Sequence, residues 1–518
     1  MEKGAVKERF KNLGRNIAEV FRSDSSHILP LLLFSLCAGL LLVTLEAYAV
    51  SPLYNQMNLM SYDGPYFALM GNAMVEKGEI PYVDFFDIKG PYLFWLEALC
   101  ALIHPIWGFY FVQCLFSGLG LFCIWLLIRR LVKPLRKRFL LLAVCVVFAF
   151  AVMEGNVCED LFLFLPTCSL LLLLSLRDRD SFLSYCLSGL LDGMIVGFLF
   201  FVKFNLIAFP GACALAMAYL GLSRRQYGRL ALGVACGLFG IALLLIPPFA
   251  YYGAIGHLDA LIEWNFVREF AYLGSHSWGA ERIACFVICL FLLSYFLFAL
   301  IRWRSHFAKD DLVLAYILLF VQIIVALASY VSMRHLRFAL PCFVYLASFP
   351  VSVFDLGKRW KAKTASAVSI FPYPALLILC IGFVSFTKLT DTRNGDWVND
   401  ELSEIGAQIP AKDRFEGGVL AIDMPSGVYF EIEAIPDFPF AAYHSIHSTQ
   451  YVPEMMEMIV DYIKTDATWV LVNDAPYEHK DVTPIYEFAE FDEALKESNF
   501  LLREDLSVEG LVMVYERV

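Results

Sequence analysis

The sequence predicts a polytopic α-helical membrane protein that ends in a small C-terminal α/β domain. Three observations carry that expectation. The chain is 59% apolar and only 18% charged, its mean hydropathy is +0.63, and its composition breaks near residue 387. Residues 387–518 hold 27 Asp and Glu against 9 Lys and Arg, net -18, whereas residues 1–386 are net +7. Such an apolar chain is neither disordered, nor fibrous, nor an ordinary water-soluble enzyme. A net charge of -11 also excludes nucleic acid as a partner, because phosphate binding needs a basic face.

A hydrocarbon core about 30 Å thick takes about 20 apolar residues of helix to cross. Runs of that kind fall at 28–50, 108–128, 139–153, 161–176, 183–202, 204–222, 230–252, 282–301, 312–331, 338–354 and 365–386. Short cytoplasmic loops collect Lys and Arg, which orients these runs. Four clusters must therefore share one side: residues 129–138, Arg224 with Arg225 and Arg229, Arg302 with Arg304 and Lys309, and residues 358–363. The segment from Pro91 to Pro105 is apolar but only about 22 Å long by helical rise. If it crossed, the 129–138 cluster would face the wrong side. It is therefore expected as a juxtamembrane helix of the first outer loop, residues 51–107, and the count becomes eleven crossings with the N-terminus in. Residues 1–27, with Phe10, Leu13, Ile17, Val20 and Phe21 on one face, read as a cytoplasmic interfacial helix. The region 28–386 is then the transmembrane domain, and 387–518 the soluble extracytoplasmic one.

In that last region, strands are expected at 419–422, 468–472 and 511–515, and helices at 453–464 and 491–498. All fourteen cysteines precede residue 381, so no disulfide framework is expected there. His444 and His447 read as surface or loop residues. No Cys/His spacing suggests zinc.

Ionisable groups at outer helix ends are retained in such a protein only when paired or used. The first outer loop is the richest in them: Asp63, then a helix stopping at Gly78, then Pro81-Tyr82-Val83-Asp84-Phe85-Phe86-Asp87-Ile88-Lys89-Gly90-Pro91. By residue type alone, Asp63 is open to two readings, a helix cap or a base. Glu154, Glu159 and Asp160 form a second outer cluster, suited to a divalent cation or an acceptor hydroxyl, or else solvated as an ordinary turn. Lys203 and Arg337 mark two further outer turns, where convergent cations suit a phosphate as well as they suit the membrane interface.

The stretch from Tyr62 to Pro91 resembles GT-C glycosyltransferases of the family 39 type, related to protein O-mannosyltransferases and lipid A aminoarabinose transferases. Pro81, Tyr82, Asp84, Asp87, Lys89 and Pro91 follow that pattern, with Gly90 replacing the first proline of its final pair. Glu159 and Asp160, the glycine-rich run Gly189 to Lys203, and Asn265 to Tyr272 are also similar, and the turn Arg334 to Pro341 more loosely so. The resemblance implies a GT-C fold of about 11 to 13 transmembrane helices and inverting transfer of a sugar from a polyprenyl-phosphate donor to an envelope acceptor, a glycan, a lipid or a protein. It implies Asp63 as the catalytic base and Lys89, Lys203 and Arg337 as ligands of the donor phosphate. Asp84, Asp87, Glu159 and Asp160 stand as acceptor or metal candidates, and divalent-metal dependence is open. A transporter or flippase of lipid-linked sugars is the rival. It predicts repeated halves and charges at mid-membrane, and no internal repeat is found; Glu46 and Asp192 are the intramembrane exceptions.

Overall fold

The computed structural model describes residues 28–50, 63–105, 107–133, 135–151, 158–275, 280–329, 335–353, 395–442, 444–450, 452–474 and 482–518. The expected interfacial helix, the crossing at 365–386, Glu154, Arg334 and the 358–363 cluster lie outside the described residues.

Long apolar helices dominate the first part, as the hydropathy requires. Among the described residues five helical segments are long and apolar enough to cross a membrane: Trp107–Leu131, Phe182–Phe200, Phe204–Ser223, Tyr227–Ala254 and Phe286–His306. Other apolar helices accompany them, including Ile28–Val50, Leu135–Ala151, Phe164–Asp178, Lys309–Ser329 and Leu340–Val353. Pro91–Ile103 is a separate helix of 13 residues, with Pro91 in its first turn where a missing N–H costs nothing. Helices Phe182–Phe200 and Tyr227–Ala254 pack against each other over most of their length. A Cβ on Gly189 would lie 2.1 Å from the Gly233 carbonyl oxygen, and one on Gly193 2.1 Å from that of Gly237. Small residues repeated every four positions let two backbones touch in a medium that offers no hydrophobic driving force.

The helices carry opposite chemistry at their two ends. At one end Arg130 pairs with Asp178 at 2.7 Å, Arg177 with Asp311 at 2.5 Å, Arg224 with Asp310 at 3.1 Å and Arg229 with Asp180 at 3.2 Å. These are the basic loops of the sequence, here tied to acids on neighbouring helices. At the other end gather the helix Asp63–Glu76, the turn at 81–90, the short helix Cys158–Leu161 and the 3-10 turn Phe204–Ile207.

Residues 395–518 form a four-stranded sheet with helices. Strands β1 (Val419–Ile422), β2 (Trp469–Asn473), β3 (Phe500–Leu502) and β4 (Val512–Arg517) lie in the order β1-β2-β4-β3. The first pair is parallel and the other two antiparallel. Helix Met455–Thr465 buries Met455, Ile459 and Ile463, spaced by four, and provides the crossover that a parallel pair needs. Strand and helix boundaries fall within a few residues of those expected, and the short strand β3 was not foreseen.

One apolar core joins the C-terminal unit to the non-basic end of the helices, running from Tyr66, Tyr82 and Phe94 through Trp264 to Phe440 and Leu471. Polar contacts cross the same junction. The Phe86 N–H donates to the Pro439 carbonyl at 2.9 Å, Lys77 pairs with Asp437, and Arg268 pairs with Glu454 at 2.8 Å.

Next to Lys77, Glu79 is held high, at about 7, chiefly by burial, against Lys77 and with help from Asp437 and Asp84. A carboxyl whose folded value is raised binds its proton more tightly when folded, so its contribution to stability falls as pH climbs from its unfolded value near 4.5 through about 7. The melting temperature of the wild type in detergent should therefore drop between pH 5 and pH 7.5 by more than that of Glu79→Gln. Equal drops in the two proteins would count against this account.

Candidate functional site

The turn 81–90 is built around Lys89. Tyr82 takes a left-handed backbone with φ of 68°, an arrangement that costs a non-glycine residue of order 1 kcal/mol and persists only where packing enforces it. The packing is aromatic: the Tyr82 ring meets Phe94 edge-on at 6.0 Å and Tyr252 at 5.6 Å. Its hydroxyl donates to the Lys89 carbonyl. Asn265 Nδ2 donates to that carbonyl too, at 3.3 Å, and Asn265 lies in a π-helical turn, Glu263–Arg268, the kind of helix irregularity that gathers at functional sites. The Lys89 N–H donates to Asp87 Oδ1 at 2.6 Å. The backbone on both sides of the lysine is thus fixed.

Gly90 completes the anchor. Its N–H donates to the Val202 carbonyl at 2.9 Å, and a Cβ there would lie 2.0 Å from the Phe201 carbonyl oxygen. A proline at this position, as in the family pattern, would both lose that hydrogen bond and collide. The glycine therefore lets residues 89–90 lie directly on the chain at 201–203 and brings Lys89 beside Lys203. Gly90→Ala should cost about 1 to 3 kcal/mol by overpacking and lower activity although no charged group is altered. Thermal unfolding and the transfer assay described below would check this, and an unperturbed variant would remove Gly90 from the anchor.

Around this anchor charges of both signs converge. Lys89 Nζ lies 3.8 Å from Asp87 Oδ1 and 5.9 Å from the Phe67 ring centroid. Lys203 Nζ contacts Glu159 Oε1 at 2.7 Å, with Glu159 buried. Asp63 opens the helix Asp63–Glu76 and is half-buried, close enough for its charge to act on both Asp87 and Lys89. Burial alone would lower the Lys89 ammonium, but Asp87, Asp63 and Glu269 outweigh it and hold the ammonium above its usual range. Burial pushes the Asp87 carboxyl up, opposed by Lys89 and Lys203. It also pushes up the buried Glu269, against the same two lysines.

Of the residues singled out in the sequence, Asp63, Asp87, Lys89, Glu159 and Lys203 fall in this one cluster. Arg337 is buried on the short helix His335–Phe338, which packs against Cys158–Leu161. Its neighbour Phe338 lines a small pocket with Glu159, Asn205 and Gln322. Asp84 is exposed and accepts from the Ile80 N–H at 2.7 Å, which makes it a turn residue beside Glu79 rather than a partner of Lys89. Asp160 belongs to the helix Cys158–Leu161, and its side chain lies outside the described residues. Glu269 was not named from the sequence, although it sits inside the Asn265 to Tyr272 stretch that was.

The two histidines need correction: neither is a surface loop residue. His444 is fully buried, because Nδ1 accepts from the Asp423 N–H at 3.2 Å and Nε2 donates to the Phe440 carbonyl at 3.0 Å. His447 is half-buried on the same helix, His444–Gln450, with its ring 5.4 Å from that of Phe440.

Among the described residues no three His, Cys, Asp or Glu side chains converge as metal ligands. Two acids of the cluster have lysines beside them, Lys89 beside Asp87 and Lys203 beside Glu159. The side chains of Glu154 and Asp160 lie outside the described residues.

A model of the dolichyl-phosphate-mannose-protein mannosyltransferase family matches residues 88–252. That window begins one residue before Lys89 and contains Glu159 and Lys203. No curated protein matches the sequence. Among solved structures, ArnT from Cupriavidus metallidurans bound to undecaprenyl phosphate is similar in fold, with a TM-score of 0.61 and 12% identity over 94% of this chain and 98% of that one. The same enzyme in its apo state gives a TM-score of 0.56 and 13% identity over 88% and 93%. The resemblance seen in the sequence therefore holds: this multi-pass membrane protein has the GT-C fold of ArnT over nearly its whole length and, across residues 88–252, the sequence pattern of the dolichyl-phosphate-mannose-protein mannosyltransferase family.

Proposed function

We propose that the protein is an inverting glycosyltransferase that moves a sugar from a polyprenyl-phosphate donor to an envelope acceptor at the outer face of the membrane. The observation that carries this reading is a carboxylate, Asp63, whose charge reaches an anchored ammonium, Lys89, at the end of the helices opposite the basic loops. A hydroxyl that attacks an anomeric carbon must lose its proton, and a carboxylate within hydrogen-bond reach can take it. The leaving group is a lipid phosphate whose negative charge grows as the bond breaks. Fixed cations stabilise that charge most where water is excluded. Lys89 and Lys203 are 12% exposed and sit at the edge of the apolar bundle, which is where a lipid-borne phosphate would arrive. Both lysines have an acid beside them, Lys203 held by Glu159 at 2.7 Å and Lys89 more loosely by Asp87 at 3.8 Å; the looser pair makes Lys89 the primary phosphate ligand in this reading, with Lys203 and Arg337 secondary.

The likeness to an enzyme solved with undecaprenyl phosphate supports a lipid-linked donor. The clustering of Arg and Lys at the far helix ends supports a cytoplasmic position for that end, and with it an outer position for Asp63, Lys89 and the C-terminal unit. The test is release of polyprenyl phosphate by the purified protein in nanodiscs, offered a panel of polyprenyl-phosphate sugars with membrane extract as acceptor. Consumption of one donor that depends on Asp63 and Lys89 supports the reading. Failure to consume any donor, with movement of a lipid-linked sugar across reconstituted vesicles, would replace it with a carrier.

A further inference from the structure

We propose that the transfer site is composite: the C-terminal unit carries His447 into it, and the imidazole hydrogen-bonds a hydroxyl of the transferred sugar or of its acceptor. The inference rests on the transferase reading and adds a residue that neither the sequence pattern nor the matched window contains.

The geometry begins at Phe86, one residue before Asp87. Its ring stacks on Trp264, with centroids 4.5 Å apart and planes 16° apart, and meets Phe440 edge-on at 5.5 Å. Phe440 in turn touches Trp264 at 5.8 Å and His447 at 5.4 Å. A chain of rings thus runs from the Lys89 turn to the imidazole. The helix His444–Gln450 also packs against Glu269–Ser275, whose Glu269 and Tyr272 act on Lys89. Both contacts bring the helix that carries His447 up to the elements around Lys89.

His444 fixes the approach. Both of its ring nitrogens are engaged with backbone, and one holds the Phe440 carbonyl. Asp423 takes the Ser445 N–H at 2.8 Å and its hydroxyl as well, which clamps the first turn of that helix. His444 is accordingly structural. His447, one helical turn on, packs its ring on Phe440 and lies within reach of the charges of Lys89 and Asp63.

The electrostatics say what kind of ligand His447 suits. Withdrawal from water, then His444 and Lys89, push its pKa down to about 3. The ring is therefore neutral at any working pH, with one N–H and one bare nitrogen in place of a charge. That is the equipment for a sugar hydroxyl. A phosphate would instead call for cations such as Lys89 and Lys203.

The test uses the full chain in nanodiscs with two readouts: binding of undecaprenyl phosphate, followed by native mass spectrometry, and transfer from the donor found by the release assay. His447→Phe should leave undecaprenyl phosphate affinity within about twofold while transfer falls about tenfold or more, the size expected for a hydrogen bond lost to a reacting group. His447→Gln, which keeps a donor and an acceptor, should recover part of that loss. A rise in KM confined to the acceptor assigns the hydroxyl to the acceptor, and one confined to the donor assigns it to the sugar; either supports the proposal. Wild-type transfer by His447→Phe overturns it, as does equal loss of lipid-phosphate binding in both variants, which would mark a purely structural histidine. A wild type that neither binds undecaprenyl phosphate nor consumes a donor defeats the transferase reading, and this inference with it.

Discussion

Asp63→Asn should leave the protein folded and reduce sugar transfer by about 100- to 10,000-fold, the usual worth of a general base. The choice of Asn separates the two roles that the residue type permits. Asp63 opens the helix Asp63–Glu76, and an Asn caps a helix as well as an Asp does. If capping were its whole contribution, the variant would melt with the wild type and transfer like it. If Asp63 accepts the hydroxyl proton, the variant melts with the wild type and fails to transfer, because a carboxamide is no base. The same residue also helps to hold the Lys89 ammonium charged, so part of the loss would pass through the phosphate site. Measuring undecaprenyl phosphate affinity in Asp63→Asn divides the two effects. A change of less than about threefold in affinity, roughly 0.7 kcal/mol, alongside loss of turnover assigns the effect to proton transfer. Full activity in Asp63→Asn would remove the base.

Much of this arrangement is legible in the sequence because it rests on local patterns. The crossings at 108–128, 183–202, 204–222 and 230–252 appear as helices at nearly those bounds, since an apolar run of membrane length has few alternatives. The helix after Asp63 and its end near Gly78 follow from the same kind of punctuation, and Gly78 has φ of +74°. Asp63 and Lys89 could be named because a family pattern marks their spacing. What the pattern could not show is why Gly90 departs from it. That reason lies in the backbone of Phe201, 111 positions away in the chain, a contact that no window of sequence contains. Glu269 and His447 escaped for a related reason. Each is an ordinary residue type in an ordinary setting until tertiary packing brings it to Lys89, and the sequence places His447 in a soluble tail with no hint that the tail docks on the helices. Asp84 matches the family pattern by position, and in this chain its carboxylate also accepts from the Ile80 N–H within the turn.

Lys89→Ala should cost both stability and catalysis, and the two losses can be pulled apart. Asp87 is already pushed up by burial, and Lys89 is the strongest group holding it down. Taking the ammonium away leaves a carboxylate that is 12% exposed without its nearest cation, and stranding one member of such a pair costs up to about 3 kcal/mol. The transition state loses a fixed positive charge at the leaving phosphate, which is worth about 100- to 1,000-fold in turnover. Replacing Asp87 as well distinguishes the two. In Lys89→Ala with Asp87→Asn the stranded carboxylate is gone, so the melting temperature should return most of the way to the wild type. The phosphate still has no ammonium to meet, so turnover should stay low, with undecaprenyl phosphate affinity reduced alongside it. If the double variant regains activity together with stability, Lys89 serves the fold and not the leaving group. The phosphate ligand would then have to be sought at Lys203 and Arg337. Retained low activity in a restored fold leaves Lys89 as the cation that receives the lipid phosphate.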